Sequence, residues 1–346
     1  MTSRTTSSII RNLCRGGVMF SIALLAAISM ASPVVLAQTA PGARDSGDRL
    51  ILLGTGGGPL IREKRSQPSS LLIVEGKLYL IDAGVGTVER LVKAGFQPED
   101  IDSVFLTHQH MDHTGGLADV MQFRSLTPSA KPFRVYGPPG TVQLVQAAQS
   151  YLGISQRVFA SEGLVQGPSP TTATLSKDIV ADGIVLDDGV VRVVAGENSH
   201  YRFKAGTPSS GVDKSYAYRF ETRSGTITFT GDSGPSAALE NLASGSDVLV
   251  SEVIDIDGAL RMAPLGLSAT ARKQFAIHMG KGHLTPEEVG KLATKSRVKS
   301  VVLTHFVPGR DTEHDADAYV TGVRRYYTGP VLAGEDLVEI PLAAPR

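Results

Sequence analysis

The chain has 346 residues, with 34 lysines and arginines against 34 aspartates and glutamates, so its formal net charge is zero. No stretch is rich in lysine and arginine, and a long polyanion therefore lacks the positive surface that it normally needs. The composition predicts that nucleic acid is not a partner, and the length suits one large α/β domain.

The first 37 residues differ in composition from the rest of the chain. They carry three arginines and no acid, followed by an apolar run over 18–36 that closes on small residues. This pattern predicts a cleavable signal peptide over 1–37, and hence a periplasmic or secreted protein without a stable membrane anchor. Cleavage after Ala37 would remove Cys14, which is the only cysteine, so the mature protein would contain no disulfide.

The folded domain is expected to span 49–346. Residues 38–48 are small and polar, which predicts a flexible leader. An apolar run at 50–53 then predicts a buried strand that enters a glycine-rich stretch at 54–58. That stretch lacks the Lys-Ser/Thr ending of a phosphate-binding loop, so it indicates a plain turn.

Strands and helices alternate along the domain. Apolar segments at 70–74 and 78–81 flank Glu75-Gly76, which predicts a hairpin. The second segment ends at Asp82, whose carboxylate is expected to hold a neighbouring loop rather than bind a metal. Further segments are predicted as helices at 87–95, 117–124, 141–152, 268–278 and 285–296 and as strands at 104–106, 133–136, 190–194, 215–221, 226–230, 247–252 and 300–303. This alternation predicts a mixed α/β sandwich.

Four metal-ligand side chains follow the apolar run at 104–106. His108 and His110 have the period of an extended segment, which places both imidazoles on one side, and the loop brings Asp112 and His113 round to face them. Imidazole and carboxylate without thiolate suit zinc, iron or manganese better than calcium or magnesium. Ordinary polar loop residues are the alternative, but so tight a cluster favours a metal site.

Further candidate residues follow strands elsewhere in the chain. His200, Asp232 and His305 each come after a predicted strand, where side chains reach the edge of a sheet. A solvated loop histidine is the alternative for His200, and a turn-forming aspartate is the alternative for Asp232. His283 precedes a helix start at Thr285, so it is either a catalytic residue or a packing residue at the helix entry.

Two stretches show no clear periodicity. Residues 155–182 are rich in glycine, proline, serine and threonine, which indicates either a mobile lid or a surface insertion. Residues 201–214 also lack a pattern. The shape of the substrate pocket is expected to depend on both stretches.

The motif His108-x-His110-x-Asp112-His113 resembles the signature of the metallo-β-lactamase superfamily. Together with other stretches it resembles ribonuclease Z and the secreted arylsulfatases of that superfamily. The other stretches follow in the family's order: Leu53-Gly54-Thr55-Gly56, Ile81-Asp82-Ala83-Gly84, Tyr136-Gly137-Pro138, Thr230-Gly231-Asp232-Ser233, His283-Leu284-Thr285 and Leu303-Thr304-His305-Phe306. The resemblance implies a four-layer αββα sandwich and a metal-dependent hydrolase.

The resemblance also implies a role for each candidate residue and two divalent metal ions, with zinc as the first choice. One ion would be held by three histidines, which are His108, His110 and His200. The other would be held by a carboxylate and two histidines, which are Asp112, His113 and His305. Asp232 would bridge the two ions, and a water shared between them would serve as a hydroxide nucleophile. Asp112 and His283 would be catalytic, His283 by stabilising the developing anion or protonating the leaving oxygen.

The expected function is that of an exported hydrolase that cleaves a phosphodiester or sulfate ester of a small molecule. For its assembly, a homodimer is left open. The signal peptide and the even charge disfavour a ribonuclease Z-type RNA endonuclease. A lactone or β-lactam hydrolase is a second alternative. Asp232 disfavours the β-lactamase form, because those enzymes generally lack a carboxylate between the metals. A metal-binding protein without catalysis is least favoured, since all seven ligand positions are filled.

Overall fold

The computed structural model describes residues 47–125, 133–164, 174–262, 266, 268–309 and 315–342. The predicted signal peptide and residues 38–46 of the predicted leader lie outside these ranges. Asp48 is described, and its carboxylate accepts hydrogen bonds from the Glu75 backbone N–H at 2.8 Å and from the Ser224 hydroxyl at 2.5 Å. Asp48 is therefore hydrogen-bonded to the fold, and the flexibility of the leader before it stays a prediction.

Two seven-stranded sheets form the centre of the fold. Their strands are β1 Arg49–Gly54, β2 Ser69–Val74, β3 Lys77–Ile81, β4 Ile101–Phe105, β5 Phe133–Gly137, β6 Thr174–Asp178, β7 Gly183–Asp187, β8 Arg192–Glu197, β9 Tyr216–Thr222, β10 Gly225–Phe229, β11 Val248–Ile254, β12 Ser300–Val307, β13 Val331–Ala333 and β14 Glu339–Pro341. The first sheet has the order β14-β1-β2-β3-β4-β5-β6 and the second has the order β13-β12-β11-β10-β9-β8-β7.

The described residues also form helices. They are α1 Thr87–Lys93, α2 Met111–Thr114, α3 Leu117–Ser125, α4 Thr141–Ser161, α5 Ala237–Leu242, α6 Ile256–Met262, α7 Ala269–Gly282, α8 Pro286–Lys295 and α9 Asp315–Arg324. The predicted start of α8 is confirmed, because the Thr285 side chain caps the helix by accepting the Glu288 backbone N–H. Within the described ranges, no helix has the length and hydrophobicity that a bilayer crossing requires.

The buried side chains form three layers, and this confirms the predicted four-layer αββα sandwich. One cluster lies between the sheets and includes Phe105 and Phe220, whose ring centroids are 5.2 Å apart. A second cluster packs α1, α3 and α4 against the first sheet. A third packs α5, α8 and α9 against the second sheet. Each sheet thus buries both of its faces, which explains the continuous apolar runs of its central strands.

The carboxyl ends of the central strands meet at one edge of the sandwich. β3, β4 and β5 run parallel in one sheet, and β10, β11 and β12 run parallel in the other. At that edge the Tyr216 backbone N–H donates to the Thr107 carbonyl at 2.8 Å, and the Tyr218 hydroxyl donates to the Leu106 carbonyl at 2.7 Å. These bonds join the loop after β4 to the opposite sheet.

In the parts of 155–182 that the structure describes, most residues belong to a helix or a strand, so the prediction of a lid or a surface insertion is wrong there. Its first residues continue α4 to Ser161, and 174–178 form β6 at the edge of the first sheet. Residues 165–173 lie outside the described ranges. An edge strand is buried on few of its positions, so β6 carries no long apolar run that a sequence pattern could reveal.

Candidate metal centre

All seven predicted ligand residues lie at the edge where the parallel strands end. His110 is exposed, and the other six are buried: His108, Asp112, His113, His200, Asp232 and His305. Four different strands carry them there. The first four ligands follow β4, whereas the others follow β8 and β10 or lie in β12. The fold therefore assembles the cluster from both sheets.

Three imidazoles form the first half of the cluster. His108 Nε2 lies 3.0 Å from His110 Nδ1, which in turn lies 3.2 Å from His200 Nε2. Nitrogen ligands around a tetrahedral zinc ion lie about 3.3 Å apart, given the usual bond length. The three nitrogens thus have the spacing of ligands to one metal ion.

Hydrogen bonds hold two of these imidazoles with a lone pair toward the cluster. His200 Nδ1–H donates to the Gly282 carbonyl at 2.9 Å. The Thr107 hydroxyl donates to the Asp82 carboxylate at 2.9 Å, so it accepts from His108 Nδ1 at 3.1 Å. Burial lowers the pKa of His200 to about 3 and that of His108 well below its ordinary value. Both rings are therefore neutral, as metal ligation requires.

Two histidines and two carboxylates form the second half. Asp112 Oδ2 lies 3.6 Å from His113 Nε2 and 3.5 Å from His305 Nε2. Asp232 Oδ1 lies 3.3 Å and 3.1 Å from the same two nitrogens. The opposite nitrogen of His113, Nδ1, donates to Asp82 at 2.8 Å, which leaves Nε2 facing the carboxylates. Asp82 is thus placed to orient the ring rather than to bind a metal.

Asp232 lies between the two halves. Its Oδ1 atom faces the second half, while its Oδ2 atom lies 3.8 Å from His108 Nε2 and 3.9 Å from His200 Nε2. Burial raises the pKa of Asp232, but the charges of neighbouring histidines outweigh burial and hold it well below its usual range. An ionised carboxylate with one oxygen toward each half has the placement of a bridging ligand.

Unpaired polar atoms show that the cluster fits divalent cations. His113 Nε2, His305 Nε2 and Asp232 Oδ1 are buried and accept no hydrogen bond from any residue that the structure describes. Burying an unpaired polar atom costs about 1–3 kcal/mol, and more when the group is charged. Coordination to a cation removes that cost, and the nitrogen and oxygen donors suit a divalent ion such as zinc.

The glycine-rich stretch after β1 forms part of the site. The Gly58 backbone N–H donates to Asp112 Oδ2 at 2.9 Å, and a β-carbon on Gly57 would lie 2.4 Å from His305 Nδ1. The prediction of a plain turn missed this contact. A run of glycines directly after a buried strand is the signal that could have indicated a close approach of the backbone to a side chain.

Glu252 and His283 form a buried pair beside the cluster. His283 Nδ1–H donates to Glu252 Oε2 at 2.7 Å, and the His283 ring centroid lies 4.8 Å from that of His200. Burial lowers the pKa of His283, but the charge and the hydrogen bond of Glu252 raise it to about 9. Sequence reasoning missed Glu252, although a lone acid in the fully buried strand β11 was a usable signal.

This fold, with histidines and aspartates gathered where its strands end, defines the class of metallo-β-lactamase-fold hydrolases. Residues 77–306 match the family model described as "Beta-lactamase superfamily domain", and the chain belongs to that superfamily. The resemblance drawn from the sequence, the fold class and the assignment as an enzyme are thereby confirmed.

Known relatives narrow the comparison within the superfamily. The chain is 31% identical to a ribonuclease Z of Mycolicibacterium paratuberculosis over 301 residues, which are 85% of this chain and 98% of the relative. Among solved structures it is similar to the metallo-β-lactamase fold protein YhfI of Bacillus subtilis, with a TM-score of 0.61 and 18% identity over 85% of this chain and 99% of that chain. It is also similar to human tRNase Z, short form, with a TM-score of 0.58 and 21% identity. That similarity covers 86% of this chain and 100% of the human chain.

The prediction that nucleic acid is not a partner is wrong. Relatives that match most of the chain are named ribonuclease Z, an enzyme that acts on RNA. That prediction relied on the even net charge and on the lack of a stretch rich in lysine and arginine. Neither criterion detects cations that are separated along the chain, such as the exposed Arg202 and Lys204 in the loop that follows His200.

Proposed function

We propose that this protein is a dinuclear-metal phosphodiesterase that hydrolyses phosphodiester bonds of RNA. The observation that carries the proposal is the pair of ligand clusters on the two sides of the Asp232 carboxylate, in a chain that covers 98% of a ribonuclease Z. Two metals a few ångströms apart suit in-line displacement at phosphorus. A phosphodiester is therefore preferred over the sulfate ester, lactone and β-lactam that the sequence left open.

In this proposal the two halves of the cluster would hold one ion each, and Asp232 has one oxygen facing each half. The ligands are His108, His110 and His200 for one ion and Asp112, His113 and His305 for the other. When bound, zinc or a similar divalent ion supplies positive charge that lowers the pKa of water and offsets the negative charge that builds on the phosphate. Thr107 and Asp82 orient His108 and His113 through their Nδ1 atoms.

Hydrolysis also requires two proton transfers, and the proposal assigns them to Asp112 and His283. Water adds to phosphorus and gives up a proton to the Asp112 carboxylate. Although burial raises the pKa of Asp112, His113 holds it below its ordinary value, so the carboxylate is ionised. The bond from phosphorus to the leaving oxygen breaks, and that oxygen takes a proton from His283. Glu252 keeps this proton available by holding the other ring nitrogen of His283.

Export remains part of the proposal. The basic, acid-free start and the apolar run within residues 1–37 support a signal peptide and a periplasmic or secreted enzyme. An exported ribonuclease would act on RNA outside the cytoplasm. N-terminal sequencing of the protein recovered from the periplasm or the medium tests this, and a start at Gln38 is expected. Recovery of only the uncleaved chain in the cytoplasm would contradict export.

A substrate panel tests the proposed reaction. Zinc-loaded protein is assayed with a 3′-extended transfer RNA precursor, bis(p-nitrophenyl) phosphate, p-nitrophenyl sulfate, an acyl-homoserine lactone and nitrocefin. Turnover of the RNA and of the phosphodiester is expected, and Asp232→Asn should abolish both while the fold survives. Faster turnover of the sulfate, the lactone or nitrocefin would overturn the phosphodiesterase proposal. Turnover of the small phosphodiester without cleavage of RNA would overturn its RNA part.

A further inference from the structure

An aromatic side chain forms one wall of the metal centre. Tyr201 follows the ligand His200, and its ring centroid lies within 5.7 Å of the centroids of three ligand imidazoles: His108, His110 and His200. Its hydroxyl accepts the Gln109 backbone N–H at 3.1 Å. These contacts fix the first residue of the stretch 201–214 against the site.

A second aromatic side chain continues this wall toward solvent. The Phe203 ring lies 4.8 Å from that of Tyr201, centroid to centroid, at an angle of 41°. Phe203 is 40% exposed, so part of its ring is open to a ligand. Its neighbours Arg202 and Lys204 are exposed cations. Along the chain, the ligand His200 is thus closely followed by a half-exposed aromatic residue with a cationic residue on each side.

We propose that Phe203 is the stacking platform for the nucleobase next to the scissile phosphodiester. This inference rests on the proposed function and adds to it the group that the enzyme recognises beside the phosphate. Every nucleobase has a flat face that stacks on an aromatic ring, and basic groups along such a ring attract the neighbouring phosphates. Stacking of this kind accepts any base, so it provides affinity without sequence preference.

The surroundings of Phe203 favour a nucleobase over an acyl chain or a simple aryl group. An acyl chain is best bound by a closed apolar pocket, whereas this ring is partly open and its two neighbours in the chain are exposed cations. A single exposed aromatic residue is common on protein surfaces and needs no explanation alone. Here, however, the ring continues an aromatic contact that begins at a metal ligand.

Two substrates with the same leaving group isolate the base. Uridine 5′-(p-nitrophenyl) phosphate and methyl p-nitrophenyl phosphate both release p-nitrophenolate, and only the first carries a base. Phe203→Ala should lower kcat/KM for the uridine diester about 5- to 100-fold, the usual range for one base–aromatic contact. The methyl diester should change by less than about twofold because it makes no such contact. Phe203→Trp should keep both rates, whereas Phe203→Leu should behave like Phe203→Ala.

A second readout does not depend on turnover. The chain contains no tryptophan, so Phe203→Trp introduces the sole indole, and its fluorescence reports on this position alone. Single-stranded oligouridylate should quench the fluorescence, and ribose 5-phosphate should leave it unchanged. The control is Tyr151→Ala, which removes an aromatic ring that is 70% exposed on α4. This variant should leave kcat/KM unchanged for both diesters.

The outcomes separate this inference from the proposed function. If the unmodified enzyme hydrolyses neither diester, the proposed function fails. If it hydrolyses both and Phe203→Ala slows both equally or neither, the stacking role is wrong and the phosphodiesterase proposal stands. Full retention of the uridine rate by Phe203→Leu would also overturn stacking, because leucine has no aromatic face. Melting temperatures of the variants should match, since Phe203 is a half-exposed loop residue.

Discussion

Gly57→Ala should weaken the second metal site without unfolding the protein. The added β-carbon would lie 2.4 Å from Nδ1 and 2.5 Å from Cε1 of His305, well inside the contact distance of about 3.5–4.0 Å. His305 cannot withdraw easily, because it is 3% exposed and occupies a strand at φ +46°. The imidazole must therefore shift from the position in which its Nε2 atom faces Asp112 and Asp232.

The size of this effect follows from the cost of overpacking. Inserting a methyl group into a filled site costs about 1–3 kcal/mol, which corresponds to roughly a 5- to 150-fold loss of affinity for the ion held by His305. The hydrogen bond from the Gly57 backbone N–H to the Phe306 carbonyl, at 3.1 Å, is compatible with alanine. The fold should therefore survive while the metal site loosens.

Zinc affinity is best measured by competition with a chromogenic chelator, alongside the rate with bis(p-nitrophenyl) phosphate. The control is Gly153→Ala in α4, where a β-carbon meets no atom within 4 Å. That variant should bind zinc normally and be as stable as the parent or slightly more stable. If Gly57→Ala kept the affinity for both ions and the full rate, the close packing of this glycine on His305 would have no role in the site.

Three further predictions concern single carboxylates. Glu252→Gln should keep the metals but lower the rate about 10²-fold or more for substrates with basic leaving groups, because His283 loses its charged partner. An equal fall in rate for all leaving groups would contradict this. Asp232→Ala should lose one ion or most of the rate, because the two oxygens of the Asp232 carboxylate face the two halves of the cluster. Normal metal content with normal turnover would show that Asp232 is only a turn residue. Burial raises the pKa of Asp188, but hydrogen bonds from two backbone amides, Lys77 and Tyr79 lower it overall. Asp188→Asn should therefore lower the urea midpoint at pH 7, and the difference should shrink as the pH falls below about 3.9; a difference that persists in acid would rule out this charge effect.

Much of the fold follows from local sequence pattern. The hairpin at Glu75-Gly76 is confirmed, because both residues adopt the positive φ angles that tight turns need, at 47° and 80°. The start of α8 is confirmed for a similar reason, since a capping residue and a proline act within one turn. These signals depend on neighbours in the chain, so a single sequence contains them.

Features that depend on distant residues could not be predicted in this way. β6 exists because it pairs with β5 across a gap of several dozen residues, and its own sequence has little strand character. The proposed role of Glu252 depends on its hydrogen bond with His283, which lies on another segment of the chain. The sequence suggested which residues are ligands, but only the fold shows that Asp232 points one oxygen toward each half of the cluster.

The central claim is that the cluster holds two metal ions with Asp232 between them. Anomalous diffraction at the zinc absorption edge, from crystals of the zinc-loaded protein, tests it most directly. The account predicts two peaks, one among the nitrogens of His108, His110 and His200 and one among Asp112, His113 and His305, both within bonding distance of Asp232. No peak at the cluster, or a single peak that does not contact Asp232, would contradict it.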